Sequence, residues 1–124
     1  MKKRILAVDD DETILELIKI ILEDRGYLLD FLSDSKRYRD ALISNRYDLA
    51  IVDIWMPVVD GKEIANYIKK HDFTAHIPVI LMSALNNVEE ISEEVHADAY
   101  LAKPFDINHL TSLVDSQIIQ SHRL

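Results

Sequence analysis

Residues 49–57 read LAIVDIWMP. Four apolar side chains in a row, Leu49 to Val52, end on a single carboxylate, Asp53. A strand with one wet face alternates apolar and polar residues, whereas an unbroken apolar run belongs to a strand covered on both faces. VILMS at 79–83 is a second run of this kind. Working outward from these two, strands are expected at Arg4–Val8, Tyr27–Leu32, Leu49–Asp53, Pro78–Met82 and Ala99–Ala102. Helical spacing fills the gaps. Ile14, Leu17, Ile18 and Ile21 mark the first helix, which Gly26 stops as a C-terminal cap. Tyr38, Ala41 and Leu42 mark the second, and Ile64, Ala65 and Ile68 the third. Val88, Ile91 and Val95 mark a short fourth; Ile107, Leu110, Leu113, Val114 and Ile118 mark the last. The pattern is (βα)5, an α/β chain with a doubly wound parallel sheet and helices on both faces.

Length and charge set further bounds. The 124 residues are expected to form one domain, 1–124, large enough for a core without staples. A net charge of −8, from 22 acidic and 14 basic residues, argues against direct nucleic-acid binding, which needs a basic footprint. There are no cysteines, so disulfides, thiolate metal sites and thiol nucleophiles are excluded. The basic start MKKR leads into an apolar run of only Ile5 to Val8, too short for a signal peptide. No stretch is long enough to span a bilayer, and a cytoplasmic location is expected.

In open parallel sheets, ligands bind beyond the carboxyl ends of the strands. Those ends carry Asp9-Asp10-Asp11, Asp53, Ser83 and Lys103-Pro104. Two neighbouring carboxylates repel by about 4 kcal/mol at ~4 Å and an effective dielectric near 20, unless they splay into water or share a cation. Oxygen donors of this type suit Mg²⁺, which completes its shell with water and phosphate oxygens. A hydroxyl and a lysine then supply donors for phosphoryl oxygens, and an aspartate can serve as nucleophile, forming an acyl phosphate. Asp11 and Glu12 suit a different task, capping the first helix and complementing its dipole. The histidines at 71, 76, 96, 109 and 122 form no helical ligand pair and are expected at the surface. Glu89, Glu90, Glu93 and Glu94 are expected on a solvated helix face.

Five motifs in this order, VDDD (8–11), IVDIWMP (51–57), DG (60–61), ILMSA (80–84) and DAYLAKPF (98–105), resemble the receiver domains of bacterial two-component response regulators. The resemblance covers essentially the whole chain. It implies a flavodoxin-like sheet of order 2-1-3-4-5. Asp53 matches the phosphoacceptor, and Asp9 and Asp10 the acidic pair that binds Mg²⁺ with Asp53 and the backbone carbonyl of Trp55. Ser83 and Lys103 match the groups that contact the phosphoryl oxygens. The Lys103–Pro104 bond is expected to be cis. Ser83 and Tyr100 match switch residues, and the face of fourth helix, fifth strand and fifth helix is the expected output surface. The implied partners are a sensor histidine kinase or histidine phosphotransfer protein, and an output partner or an output domain absent from this chain. Enzymatic activity beyond self-phosphorylation and autodephosphorylation is not expected.

Two other readings compete. LAVDDDET (6–13) also fits the D-x-D-x-T start of haloacid-dehalogenase-like phosphohydrolases, with Asp9 as nucleophile, Asp11 as acid/base, and Ser83 and Lys103 downstream. Against it, the only acids after Lys103 are Asp106 and Asp115, the chain is short, and the Asp53 motif goes unused. A receiver-like docking module without phosphorylation would not need Asp9, Asp10, Asp53, Ser83 and Lys103 together. The chain also departs from the receiver pattern. Its span from Ser83 to Lys103 is short, His96 replaces the usual glycine before Ala97-Asp98, and the last helix lacks the dense Arg/Glu pattern of receivers that dimerise to bind DNA.

Overall fold

The computed structural model describes residues 2–121. Five strands, β1 (Arg4–Val8), β2 (Leu28–Leu32), β3 (Leu49–Asp53), β4 (Val79–Ser83) and β5 (Ala99–Ala102), form one parallel sheet of order β2-β1-β3-β4-β5. The helices are α1 (Glu12–Asp24), α2 (Tyr38–Ser44), α3 (Gly61–Lys70), α4 (Val88–Glu94) and α5 (Ile107–Ser121). Strand order and fold class are therefore those expected, with strand ends shifted by at most a residue.

The apolar runs do what a doubly covered strand requires. Every residue of β3 and β4 is buried, and successive side chains feed opposite cores because strand side chains alternate. Leu6, Val8, Ala50, Val52, Val79 and Leu81 meet Tyr38, Leu42, Ile64, Ile68 and Ile91 on one face. Ile5, Ala7, Leu49, Ile51, Ile80 and Met82 meet Leu15, Ile18, Leu22, Leu110 and Val114 on the other. Thus α2, α3 and α4 cover one face, α1 and α5 the other.

Helix ends follow from local chemistry. Asp11 Oδ1 accepts from the amides of Thr13 (3.0 Å) and Ile14 (3.4 Å), capping α1. At its other end Gly26, at φ 92°, closes a six-residue turn in which Gly26 N donates to Glu23 O (2.9 Å) and Tyr27 N to Leu22 O (3.1 Å). Arg25 and Tyr27 both bond Asp115, tying the end of α1 to α5.

Three details differ from expectation. The buried stripe of α1 is Leu15, Ile18, Ile21 and Leu22, while Leu17 is 42% exposed. Ile107 of α5 is exposed as well. The chain enters α2 through a 3-10 turn at Ser35–Arg37 capped by Asp34, and Ser35 Oγ donates to Pro57 O at 3.1 Å. His71, His76, His96 and His109 are at the surface as expected, and His122 lies outside the described residues.

Two non-glycine residues occupy the left-handed region. His96 (φ 59°) sits where the receiver pattern has glycine, and Val58 (φ 69°) lies at the centre of a three-residue turn closed by Val59 N to Pro57 O, 2.8 Å. That conformation costs a side-chain-bearing residue roughly 1–2 kcal/mol, and β-branching makes it worse. Val58 is 81% exposed, so its side chain contributes little packing in return. Val58→Gly relieves the strain but adds chain entropy to the unfolded state. We expect a net gain of about 0.5–1 kcal/mol, a rise in melting temperature of roughly 2–5 °C by thermal denaturation.

Candidate functional site

The site lies at the carboxyl edge of the sheet, where β1, β3, β4 and β5 end side by side. β1 delivers Asp9, which is 1% exposed, and Asp10, which faces solvent. β3 delivers Asp53, also buried. Each of these three carboxylates offers an oxygen within 4.8 Å of the others. Lys103, just beyond β5, reaches across to Asp9 Oδ2 at 2.8 Å and Asp53 Oδ1 at 2.9 Å. The Lys103–Pro104 peptide is cis, as expected, and Lys103 N donates to Ser83 O at 2.9 Å, locking the end of β5 to β4.

Burial decides the electrostatics. Loss of water pushes the Asp53 carboxyl up to about 6; the Lys103 hydrogen bond opposes this, and the charges of Asp9 and Asp10 add to it. Burial also pulls the Lys103 ammonium down, but hydrogen bonds to Asp9 and Asp53 outweigh it and leave the ammonium raised. One lysine for three carboxylates leaves the cluster short of positive charge. Its donors are all hard oxygens, the set that suits Mg²⁺ rather than a soft metal.

The other expected site residues are placed as follows. Ser83 is wholly buried at the end of β4, and its Oγ accepts from Leu85 N at 3.0 Å. Trp55 (53% exposed) and Leu85 (51%) line the same open cleft as Asp9, Asp10, Asp53 and Lys103. Tyr100 is not in that cleft. It lies exposed on β5, in a separate groove against α4. Asp11 touches the cleft, and one oxygen of its carboxylate, Oδ1, accepts from the α1 amides as the capping expectation required.

Gly61 belongs to the site although sequence reasoning gave it only a place in a motif. It opens α3, its amide donates to Ile54 O at 2.8 Å, and Asp60 caps the helix by accepting from Glu63 N at 3.0 Å. A Cβ on Gly61 would stand 2.3 Å from the carbonyl oxygen of Asp53 and 2.8 Å from Ile54 Cα. The start of α3 therefore presses directly on the backbone that carries Asp53. The D-G pair at 60–61 signals a helix start, but nothing in it says what the glycine faces.

Sheet order and the lysine-bridged acidic cluster define a flavodoxin-like α/β protein with its chemistry at the carboxyl edge. The chain belongs to the response regulator receiver domain family, whose model matches residues 5–115. It is 31% identical over 123 residues to the DNA-binding dual master transcriptional regulator RpaA of Synechocystis, covering 98% of this chain and 51% of RpaA. The chain thus spans about half the length of the curated relatives it matches. Among solved structures, a CheY-like response regulator receiver domain protein from Methanospirillum hungatei superposes with a TM-score of 0.90 at 28% identity, covering 98% of this chain and 97% of that one. Response regulator TrrA of Thermotoga maritima, solved in complex with Mg²⁺-BeF, gives 0.83 at 35% identity, covering 94% and 99%. No helix among the described residues is long and apolar enough to cross a membrane.

Proposed function

We propose that this chain is a phosphorylation-dependent signalling switch whose phosphoryl acceptor is Asp53. The observation that carries this reading is Lys103 Nζ lying 2.9 Å from Asp53 and 2.8 Å from Asp9, beside Asp10. In the proposed transfer, a carboxylate oxygen of Asp53 attacks the phosphorus of a phosphohistidine. The P–N bond breaks, its electron pair stays on the imidazole nitrogen, and that nitrogen takes up a proton. The donor is a sensor histidine kinase or a histidine phosphotransfer protein.

Asp9, Asp10, Asp53 and the Trp55 carbonyl are the groups that would hold Mg²⁺, which when bound neutralises charge on the transferring phosphoryl oxygens. Lys103 exchanges part of its hold on Asp53 for a phosphoryl oxygen, a charge-assisted bond that neutral donors match poorly. Ser83 Oγ already accepts from Leu85 N, so its hydroxyl proton is free to donate toward the acyl phosphate. Moving that hydroxyl shifts the β4–α4 loop and, through β5, Tyr100 on the α4–β5–α5 face. With a net charge of −8, the output we propose for this chain is a cytoplasmic protein contact rather than contact with a nucleic-acid backbone.

Incubation with Mg²⁺ and acetyl phosphate, followed by mapping of the adduct by mass spectrometry, tests the reading. An adduct on Asp53 is expected. An adduct on Asp9 would instead favour the hydrolase chemistry, and none at all a docking module.

Trp55 and Leu85 sit over the cleft with their apolar side chains half exposed. They hinder a water from lining up behind phosphorus, in the direction opposite the Asp53 oxygen. Trp55→Asn opens that approach and offers a polar group to hold the water. Phosphoryl-Asp53 should then decay several-fold faster, about 1 kcal/mol off the barrier, in a timed assay of the labelled protein. An unchanged lifetime would remove the shielding role.

A further inference from the structure

We propose that the groove between α4 and β5 is a docking site for a cationic, amphipathic protein segment. This deepens the switch reading by naming the chemistry of its output partner, and it rests on that reading for its place in signalling.

The groove has a volume of about 300 Å³. Glu89 and Glu93 of α4 form one wall, and Ala97, Tyr100 and Leu113 contribute apolar surface. No lysine, arginine or histidine lines it. Asp98 at its edge is already paired with Lys69 at 2.6 Å, and on the next face of α4 Glu94 is paired with Lys62 at 3.2 Å. Glu89 and Glu93 have no such cation among the described residues.

Part of this arrangement costs the helix stability. Glu89 and Glu93 are four residues apart on one helix face, as are Glu90 and Glu94, and like charges at that spacing destabilise a helix. Glu93 and Glu94 also stand in the last turn, where the helix dipole disfavours negative charge. At the other end Glu89 and Glu90 stand in the first turn, where the dipole favours them, but the cap is poor. Asn87 makes no side-chain cap, and its buried Oδ1 has no hydrogen-bond partner. The repulsion between Glu89 and Glu93 and the last-turn position of Glu93 are thus left uncompensated along the groove wall.

A partner bearing Lys or Arg at matching spacing supplies the missing charge. Its aliphatic stems lie over Tyr100 and Leu113, and a cation above the Tyr100 ring gains further attraction. Anionic partners, including phosphate backbones and acidic lipid headgroups, are repelled by the same wall.

The test uses a short synthetic amphipathic helix, with Leu on one face and Lys at four-residue spacing, and a counterpart with Glu for every Lys. Each is titrated into isotope-labelled protein and followed by NMR, with and without Mg²⁺ and beryllofluoride. The lysine peptide should shift amides of α4, β5 and α5 with saturation, and the glutamate peptide should not. The double variant E89Q/E93Q should bind about tenfold more weakly, and E93Q alone should melt at a higher temperature, since it removes both the repulsion and a last-turn negative charge. Equal binding by the double variant, shifts spread over the acidic residues of α1 and α2, or a lower melting temperature for E93Q would each overturn the proposal. Absence of an acetyl phosphate adduct on Asp53, with peptide binding intact, would count against the switch reading and leave the groove standing.

Discussion

Asp53→Asn should abolish the acetyl phosphate adduct and, in the absence of divalent metal, melt at a higher temperature than the parent protein. The two effects come from one cause, a carboxylate held where the fold disfavours its charge. Removal of the proposed nucleophilic oxygen leaves no acyl phosphate to form, so labelling should fall to background rather than by a factor. The stability change follows from linkage. The folded pKa of Asp53, about 6, lies above its ordinary value of 3.8. A group raised in this direction binds its proton more tightly in the folded state. Its contribution to stability is therefore fully present below about pH 4 and is lost as pH rises through about 6. At neutral pH the ionised side chain costs about 2–3 kcal/mol. Asparagine carries no charge to desolvate and leaves Lys103 paired with Asp9. A net gain of about 1–3 kcal/mol is expected, read as melting temperature in EDTA at pH 7 and shrinking toward pH 4. Added Mg²⁺ should stabilise the parent by mass action and stabilise Asp53→Asn much less. A variant less stable than the parent in EDTA would show that burial does not set the energetics of this carboxylate.

Gly61→Ala should destabilise the protein by about 2–3 kcal/mol and weaken Mg²⁺ binding as well. Helix propensity alone points the other way, since alanine is favoured over glycine inside a helix by about 1 kcal/mol. Packing wins because the atoms in the way are backbone, Asp53 O at 2.3 Å, Asp53 C at 2.9 Å and Ile54 Cα at 2.8 Å. Neither β3, buried along its whole length, nor the capped start of α3 can swing aside as a flexible side chain would. The displacement falls on Asp53, the residue proposed as acceptor. Thermal melts should show a fall of roughly 6–12 °C, and Mg²⁺ titration followed by Trp55 fluorescence should show a weaker midpoint. A melting temperature equal to the parent's would mean that the α3 start can back away from β3 without cost.

Much of the architecture was legible before any coordinates. Unbroken runs such as LAIV and VILM are best satisfied by strands covered on both sides, and these two, with three further strand-like runs alternating with helical spacing, admit few arrangements. Asp11 capping α1 and Gly26 ending it were readable for the same reason, because caps are decided by neighbours in sequence. The candidate site was legible at the level of chemistry, since Asp9, Asp10, Asp53, Ser83 and Lys103 all stand at strand ends. The buried face of α1 was not. Ile14, Leu15, Leu17, Ile18, Ile20, Ile21 and Leu22 leave two apolar stripes open, and only the angle at which the helix lies on the sheet selects Leu15 and Leu22 over Leu17.

The sequence by itself determined the order of elements, the caps and the kinds of group placed at each strand end, because these depend on hydrophobic period and local hydrogen bonding. The tertiary structure alone decided that Lys103 bridges Asp9 and Asp53, that Gly61 abuts the Asp53 backbone, and that Tyr100 shares a groove with Glu89 and Glu93 rather than the acidic cleft. Those outcomes depend on distances between segments far apart in the chain, and such distances exist only once the sheet has closed its register and the helices have settled on its faces.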